Sequence, residues 1–310
     1  MQLCGIDFGN ILGASGVQGF FGEGWWFHNI YKMLWRKQFD FSGMTFVSKT
    51  VTLRQRKGNV KGFLPSWARI DFFSGHMLNA MGLPNRGIET IVTENEWQKR
   101  TKPFMISIAS VEPITEKRLE ELSEIILCLK MFQKGFRAPF GLQINLSCPN
   151  TGHNLSEVIN ESEEALIRAS FLNVPLMPKY SIASAPIQAI MELNKNPFCH
   201  GICVSNTLPF GFEGIDWQKV WGTKVSPLAR LGGGGLSGKT LCPLVCEWIV
   251  RLRDAGFTKP INGGGGILCA QDVKRYHKAG ASSVFLGSGA TLRPWRVQEI
   301  IRCANSLTWR

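Results

Sequence analysis

"GLQINLSCPNTGHN", residues 141–154, reads as a strand that runs into a reactive turn. Over 142–147, Leu142, Ile144 and Leu146 alternate with Gln143, Asn145 and Ser147, the period of two that gives a strand two differently used faces. The strand then stops at Cys148 and Pro149. An amide aimed at one face, next to a thiol at the strand's end, is expensive in a dry core and useful in a binding cavity.

Working outward, the same kind of short apolar run recurs at "NILGASG", "GMTFVSK", "PFMISIA", "VPLMPKY", "GICVSN", "PINGGGG" and "SSVFLGS". Helical patterns lie between most of them, at 24–38, 115–135, 156–170, 184–195, 240–255 and 270–279, with a last one at 294–306. Eight strands alternating with helices imply parallel βαβ units, and eight is the number that closes a barrel. The expected fold is α/β, one (β/α)8 TIM barrel domain spanning 1–310, with a doubly wound open sheet as the alternative. The long connections 51–102 and 207–258 both follow the C-terminal end of a strand, where barrels elaborate their sites, and are expected as loop insertions on that face.

Composition narrows the function class. The chain has 310 residues, 44% hydrophobic and 19% charged, which suits a globular protein with a large core. Its charge of +12, from 35 Lys+Arg against 23 Asp+Glu, suits an anionic ligand, nucleic acid or an acidic surface. The basic residues are scattered apart from short clusters such as "TLRQRKGNVK", so no nucleic-acid partner is expected. With no signal peptide and no apolar run of about 18 residues, a cytoplasmic protein without a membrane segment and with reduced thiols is expected. Cys199/Cys203 and Cys242/Cys246 are four apart, a helical-turn spacing that reads as packing, and no metal is expected. The tryptophans of "GWWFHNIYKMLWRK" likewise read as core and helix packing.

The strand ends are polar in a way that core strands are not. Ser15 closes the first, Lys49 the second, Asn145 the fourth, Lys179 the fifth and Asn206 the sixth. Burying such groups without partners costs several kcal/mol each, so a shared anionic ligand accounts for all of them better than chance placement. The last two strands end in "GGGGI" (263–267) and "LGSGA" (286–290), turns whose backbone N–H groups can approach a phosphate closely.

From about residue 8 to residue 293 these segments resemble, in order, those of the FMN-dependent dihydroorotate dehydrogenases. "GASGV" looks like the first flavin-contacting turn, with Ala14 and Ser15, although a glycine replaces the asparagine common before "ASG". "SKTVTL" with "RKGN" resembles the segment whose lysine touches flavin and substrate, here Lys49, followed by Thr50. "NAMGLPNRG" resembles the substrate loop, with Asn79, Met81, Gly82 and Leu83, and "NLSCPNTG" the catalytic loop, with Asn145, Cys148 and Asn150. "VSNTL" (Val204, Asn206, Thr207), "GGLSGK" (Gly235, Gly238) and the turns holding Gly265, Gly266, Gly287 and Ser288 resemble the remaining flavin and substrate positions.

The resemblance implies that Cys148 is the general base taking the proton from C5 of dihydroorotate while the C6 hydride passes to flavin N5. A thiol, with an ordinary pKa of about 8.5, suits that task near neutral pH. It further implies that Asn79, Asn145, Asn150 and Asn206 line the substrate ring, with Thr207 and the backbone of 81–83. Amides both donate and accept, as a ring with carbonyls and N–H groups requires. Lys49 would face the ligand's negative charge, and Lys179 would sit near flavin N1–C2=O. FMN is the cofactor that the resemblance implies; the two glycine turns suit a phosphate and not a dinucleotide, and no G-x-G-x-x-G opens a helix after the first strand.

The cysteine and "MGLPN" resemble the soluble class 1 enzymes, whereas "PNTGHNL", "SNT" and "GGLSGK" resemble the class 2 enzymes, which use serine; class 1 is the expectation. Fumarate, NAD through a partner subunit and quinone are all candidate acceptors, and a homodimer is allowed for. The competing functions are a barrel like dihydropyrimidine dehydrogenase, a tRNA dihydrouridine synthase and a non-catalytic flavin-binding protein.

Overall fold

The computed structural model describes residues 1–60, 66–146 and 155–310, the last range without the side chains of Leu155 and Ser156. In chain order, the hairpin β1 (Gln2–Leu3) and β2 (Ile6–Asp7) precedes β3 (Ile11–Gly13) and α1 (Trp26–Leu34). Next come β4 (Ala68–Asp71), β5 (His76–Asn79), α2 (Ile88–Thr93), β6 (Phe104–Ile108), α3 (Thr115–Phe132), β7 (Phe140–Asn145) and α4 (Leu155–Ser170). They are followed by β8 (Leu176–Tyr180), α5 (Ile187–Glu192), β9 (Ile202–Val204), β10 (Leu208–Pro209), α6 (Trp217–Trp221), β11 (Gly235–Gly238) and α7 (Leu241–Asp254). The chain ends with β12 (Ile261–Gly264), α8 (Ala270–Lys278), β13 (Ser283–Leu286), α9 (Ser288–Leu292) and α10 (Val297–Ser306).

Seven of these strands form a parallel sheet in the order β3-β13-β12-β9-β8-β7-β6. Its two edges, β3 and β6, are joined by the extended chain around residues 45–51. Thr45 N–H donates to the Ile11 carbonyl and Gly13 N–H to the Thr45 carbonyl, both at 2.9 Å. On the other side Ser48 N–H donates to the Met105 carbonyl and Val51 N–H to the Ser107 carbonyl, both at 3.0 Å. This segment is the expected second strand, and it acts as the eighth stave. It departs from the expectation in that its pairings, Leu12 with Thr45 and Val47 with Met105, are isolated parallel bridges. The Ser48 hydroxyl explains part of the break, because its Oγ takes the N–H of Ser107 at 2.9 Å in place of a ladder carbonyl. An α/β barrel of the (β/α)8 TIM type results.

Strand alternation sorts the core into two layers. Ile11, Ile106, Leu142, Leu176, Ile202 and Val284 face outward and pack in the core beneath the helices, where α3 adds Leu122, Ile125 and Leu129 at helical spacing. Their neighbours Leu12, Met105, Met177, Cys203 and Phe285, with Val47 from the eighth stave, form a second cluster inside the barrel. Leu3 of β1 and Phe8, which follows β2, join that inner cluster and close one end of the barrel.

The two long connections contain paired strands, which the sequence reading left as loops. β4 and β5 come from 51–102, β10 and β11 from 207–258, and together they make one antiparallel sheet in the order β10-β11-β5-β4. Gly235 lies opposite Asn79 and Gly238 opposite His76. Gly238 has φ +110°, and a Cβ there would stand 2.1 Å from the Gly75 carbonyl oxygen, so the pairing requires glycine. The helices α2, α6 and α9, of five or six residues each, were too short to show a period and were not anticipated. Among the cysteine pairs, Cys242 and Cys246 do share the helix α7, whereas Cys203 lies on β9 and not on a helical turn.

Candidate active site

The site follows from the inner cluster by one step of the strand period. Two residues beyond Leu12, Val47, Met105, Met177, Cys203 and Phe285 stand Ala14, Lys49, Ser107, Lys179, Ser205 and Gly287, and β7 contributes Asn145 in the same layer. All but Ser107 line one cavity of about 1200 Å³ at the C-terminal ends of the strands. An apolar layer thus gives way to a polar one within a single alternation.

Parallel register fixes the floor. Asn145 pairs with Lys179, and Lys179 with Cys203. Asn206 N–H donates to the Tyr180 carbonyl at 2.9 Å, which brings its side chain back over β7 and β8. There Asn206 Nδ2 donates to Asn145 Oδ1 at 2.7 Å. The coupled amides present both a donor and an acceptor to the cavity. Lys179 is buried, its ammonium 5.5 Å from the centre of the Phe285 ring, and burial lowers its pKa from the ordinary lysine range. Beneath it the same burial pushes the Cys203 thiol up to about 12, so this cysteine is a neutral packing group.

A hydroxyl network ties the first three staves together. Ser15 Oγ lies 2.6 Å from Thr50 Oγ1 and donates to the Ser48 carbonyl at 3.1 Å, and Thr50 Oγ1 lies 3.0 Å from Ser107 Oγ. Lys49 emerges between them, donates to the Pro84 carbonyl, and stands 4.7 Å from the centre of the Phe20 ring. Burial lowers its pKa from 10.5 to about 8, against the pull of Glu23. Lys49 is therefore a cation of the ring that can titrate near physiological pH.

The segment 79–85 meets Lys49 in a fixed shape. Asn85 donates through Nδ2 to Thr52 Oγ1 at 2.8 Å and to the Leu83 carbonyl at 2.9 Å, while its Oδ1 accepts from Gly87 N–H at 2.8 Å. Asn59 Nδ2 donates to the Ala80 carbonyl at 2.7 Å. Gly58, at φ +59°, lies so close that a Cβ would stand 2.6 Å from the Met81 carbonyl oxygen. Asn79, Met81, Gly82 and Leu83 line the cavity as a result.

Of the residues singled out from the sequence, Ala14, Ser15, Lys49, Thr50, Asn79, Asn145, Lys179, Asn206 and Thr207 line this same cavity. So do Gly265, Gly266, Gly287 and Ser288 from the two glycine turns. Val204 is instead fully buried on β9, and Gly235 and Gly238 belong to β11, whose cavity-lining member is Ser237. Gly235 has a different task, since a Cβ there would stand 2.2 Å from Thr207 Oγ1; it makes room for Thr207. Cys148 and Asn150 lie outside the described residues. Sequence reading missed Ser205, which the strand period would have found two residues after Cys203. It also missed Trp25 and Trp67, which line the cavity without any local signal, and Asn85, whose work is to hold the 79–83 segment.

One further contact joins α3 to α4 beside the cavity. Arg118 of α3 makes a two-point ion pair with Glu161 of α4, Nε to Oε1 and Nη2 to Oε2, both at 2.7 Å, and both residues line the cavity. With side-chain exposures of 5% and 15%, the pair is shielded enough to fix α4, the helix that follows residues 147–154.

A parallel barrel with a ring of lysine, amide and hydroxyl groups around one deep cavity, bordered by glycine turns after its last two strands, defines an α/β barrel enzyme whose candidate site lies at its C-terminal face. The family model described as "Dihydroorotate dehydrogenase" matches residues 1–307. A relative named dihydroorotate dehydrogenase A (fumarate), from Limosilactobacillus reuteri, is 28% identical over 311 residues, covering 97% of this chain and 90% of the relative. The catalytic subunit of a dihydroorotate dehydrogenase B (NAD(+)) from Streptococcus pneumoniae is 26% identical over 312 residues, 97% of this chain and 89% of the relative. The corresponding subunit from Anoxybacillus flavithermus is 28% identical over 313 residues, 97% and 88% respectively. The chain belongs to the dihydroorotate dehydrogenase family, flavin-dependent oxidoreductases of pyrimidine biosynthesis. Among the described residues no helix is long and apolar enough to cross a membrane.

Proposed function

We propose that this chain oxidises dihydroorotate to orotate with FMN as its cofactor, as a single barrel domain in the cytoplasm. The observation that carries the reading is the convergence of Lys49, Asn145, Lys179 and Asn206 with the 79–83 segment on one cavity. The strand bearing Asn145 also leads directly into Cys148.

The donor set fits the cofactor. The glycine and serine turns at 265–266 and 287–288 suit a phosphate, and the cavity of about 1200 Å³ exceeds the ~300–1,000 Å³ of a usual single-ligand pocket. Bound FMN would supply the hydride acceptor for C6 of the substrate. Ala14, Ser15, Thr50, Asn145, Lys179 and the two turns would hold it, with the Lys179 ammonium as a fixed positive charge where negative charge develops.

The chain's own residues do the rest. Lys49 and the coupled Asn145–Asn206 amides hold the carboxylate and ring of the substrate, with Asn79, Asn150 and Thr207 completing the set. Cys148, as thiolate, takes the proton from C5. The ring binds in one orientation because donors and acceptors alternate around it. Anaerobic mixing of the purified, FMN-loaded protein with dihydroorotate, followed through flavin absorbance, tests the proposal. Bleaching of the flavin is expected, and a yellow protein that stays oxidised overturns it.

A further inference from the structure

The first turn of α7 lies against the glycine turn that borders the cavity after β12. A Cβ at Gly266, φ +71°, would stand 3.0 Å from the Cys242 nitrogen, and one at Gly265 would stand 3.3 Å from the Leu241 side chain. Leu241 itself lines the cavity. The connector beyond the turn is held from the other side by Asp272 of α8, whose Oδ2 accepts from Leu268 N–H at 2.9 Å and from Cys269 N–H at 3.2 Å. A shift at the start of α7 is therefore felt at Gly265 and Gly266.

Two thiols sit at that junction. Cys242 is buried, with Sγ 3.9 Å from Asp272 Oδ1, and Arg275 Nη1 pairs with the same oxygen at 3.1 Å. Cys246 stands one helical turn further along the same side of α7 and is only partly buried. A hydrogen bond joins the two thiols, with the proton on the buried partner. That bond, with the Arg275 guanidinium nearby, holds Cys246 below the ordinary thiol range, whereas the same bond and burial push Cys242 up. An accessible thiolate beside a protonated thiol is poised for reversible oxidation. Cys4 is the contrast, exposed but with its thiol pushed up by partial burial.

We infer that Cys242 and Cys246 form a peroxide-sensing pair whose oxidation loosens the glycine turn of the cavity. First the Cys246 thiolate attacks one oxygen of a hydroperoxide. An S–O bond forms, the O–O bond breaks, and the leaving oxygen takes up a proton. The sulfur is oxidised by two electrons to a sulfenic acid while the peroxide is reduced to water or an alcohol. Then the Cys242 sulfur gives up its proton and displaces hydroxide from the Cys246 sulfur, so that an S–S bond forms and water leaves. Exchange with a small thiol reverses the step, as redox sensing in a reducing compartment requires. Helical Cβ atoms four residues apart lie about 5–6 Å from each other, and a disulfide needs about 3.5–4.5 Å. The bond therefore closes only if the first turn of α7 gives way. That turn is the helix's least secured, since its N–H groups have no partner within the helix, and it is the one packed on Gly265 and Gly266.

The thiol chemistry stands by itself; its effect on the turn is read through FMN and rests on the cofactor proposed above. The full chain, loaded with FMN, is exposed to hydrogen peroxide beside a Cys246→Ser variant, a near-isosteric change at a partly buried position. Peptide mass spectrometry should find a Cys242–Cys246 disulfide in the parent, formed before Cys4 is oxidised. The oxidised parent should release FMN several-fold faster than the reduced protein, dithiothreitol should restore its retention, and Cys246→Ser should keep its FMN under peroxide. A parent whose two thiols stay free, or whose Cys4 reacts first, overturns the inference. A parent that forms the disulfide and holds FMN as the reduced protein does overturns the link to the turn. A chain that never takes up FMN fails the cofactor proposal instead, and mass spectrometry then decides the thiol pair.

Discussion

At one end of the barrel Leu3 and Phe8 are laid against Leu12, Met105 and Met177, and nothing polar from those side chains enters the cluster. Two residues further along the same strands the side chains are Ala14, Ser107 and Lys179, and beside them Asn145 couples to Asn206. The two layers share backbone, register and alternation, yet one is a closed apolar plug and the other an open polar ring. The difference teaches that stability and chemistry are separated here by about one strand repeat, so substitutions in adjacent layers should have opposite signatures.

The sharpest break lies in the ring's own direction. Replacing Cys148 by Ala should slow flavin reduction by dihydroorotate about 10²–10⁴-fold, the usual worth of a positioned base. FMN content and orotate binding should persist, since neither needs a proton acceptor. Stopped-flow reduction of the variant decides it, and an unchanged rate would remove Cys148 from the mechanism.

The plug should answer the other way. Met177→Ala opens a void among Leu12, Met105 and Phe285, and should cost about 2–5 kcal/mol in denaturant unfolding. The folded fraction should still reduce its flavin at the parent rate. A normal stability with a collapsed rate would mean that the two layers are not separable.

Much of this division was legible in the sequence, and the reasons differ from element to element. β6, β7 and β8 showed themselves because strands buried on both faces read as near-continuous apolar runs. The polar residue at the end of each then marked the ring, as Lys179 does after Leu176 and Met177. The antiparallel sheet stayed hidden because "ARID", "HMLN" and "GLSG" are short and mixed, and their pairing depends on Gly238 meeting Gly75 across some 160 residues. The 45–51 stave was legible as apolar chain but not as bridges, because the Ser48 hydroxyl takes over a ladder bond. Asn85 and Gly235 work by holding the 79–83 segment and making room for Thr207, roles that exist only after the chain has folded.

Within the ring, the amide pair should show a smaller effect than the base. Asn206→Ala removes the partner of Asn145 Oδ1 and, on the proposed function, one contact to the ligand, so orotate affinity should fall by roughly 1–3 kcal/mol. FMN content should change little; isothermal titration with orotate measures the affinity and flavin absorbance the FMN content. Parent-like affinity would show that the pair stands off the ligand.

The two lysines of the ring sharpen the comparison further, because both are lowered by burial but Lys49 is brought to about 8, within reach of ordinary experiments. The sign can be worked out for folding and for binding separately. The Lys49 ammonium is disfavoured in the folded chain, so between about pH 8 and 10.5 the unfolded chain holds a proton that the folded chain has shed. Its contribution to stability therefore becomes more favourable as pH rises through that window, and the full penalty applies below it. Binding of a carboxylate ligand runs in the opposite sense, because the ligand requires the charged form. Orotate affinity should be flat below about pH 8 and should fall above it, by about tenfold per unit, until the raised pKa of the complex is reached. In Lys49→Arg the guanidinium stays charged throughout, so the decline over that range should vanish even if the affinity itself is lower. Orotate titrations of both proteins across the alkaline range test this. A parent whose affinity holds level to pH 10 would show that Lys49 does not carry the ligand's charge.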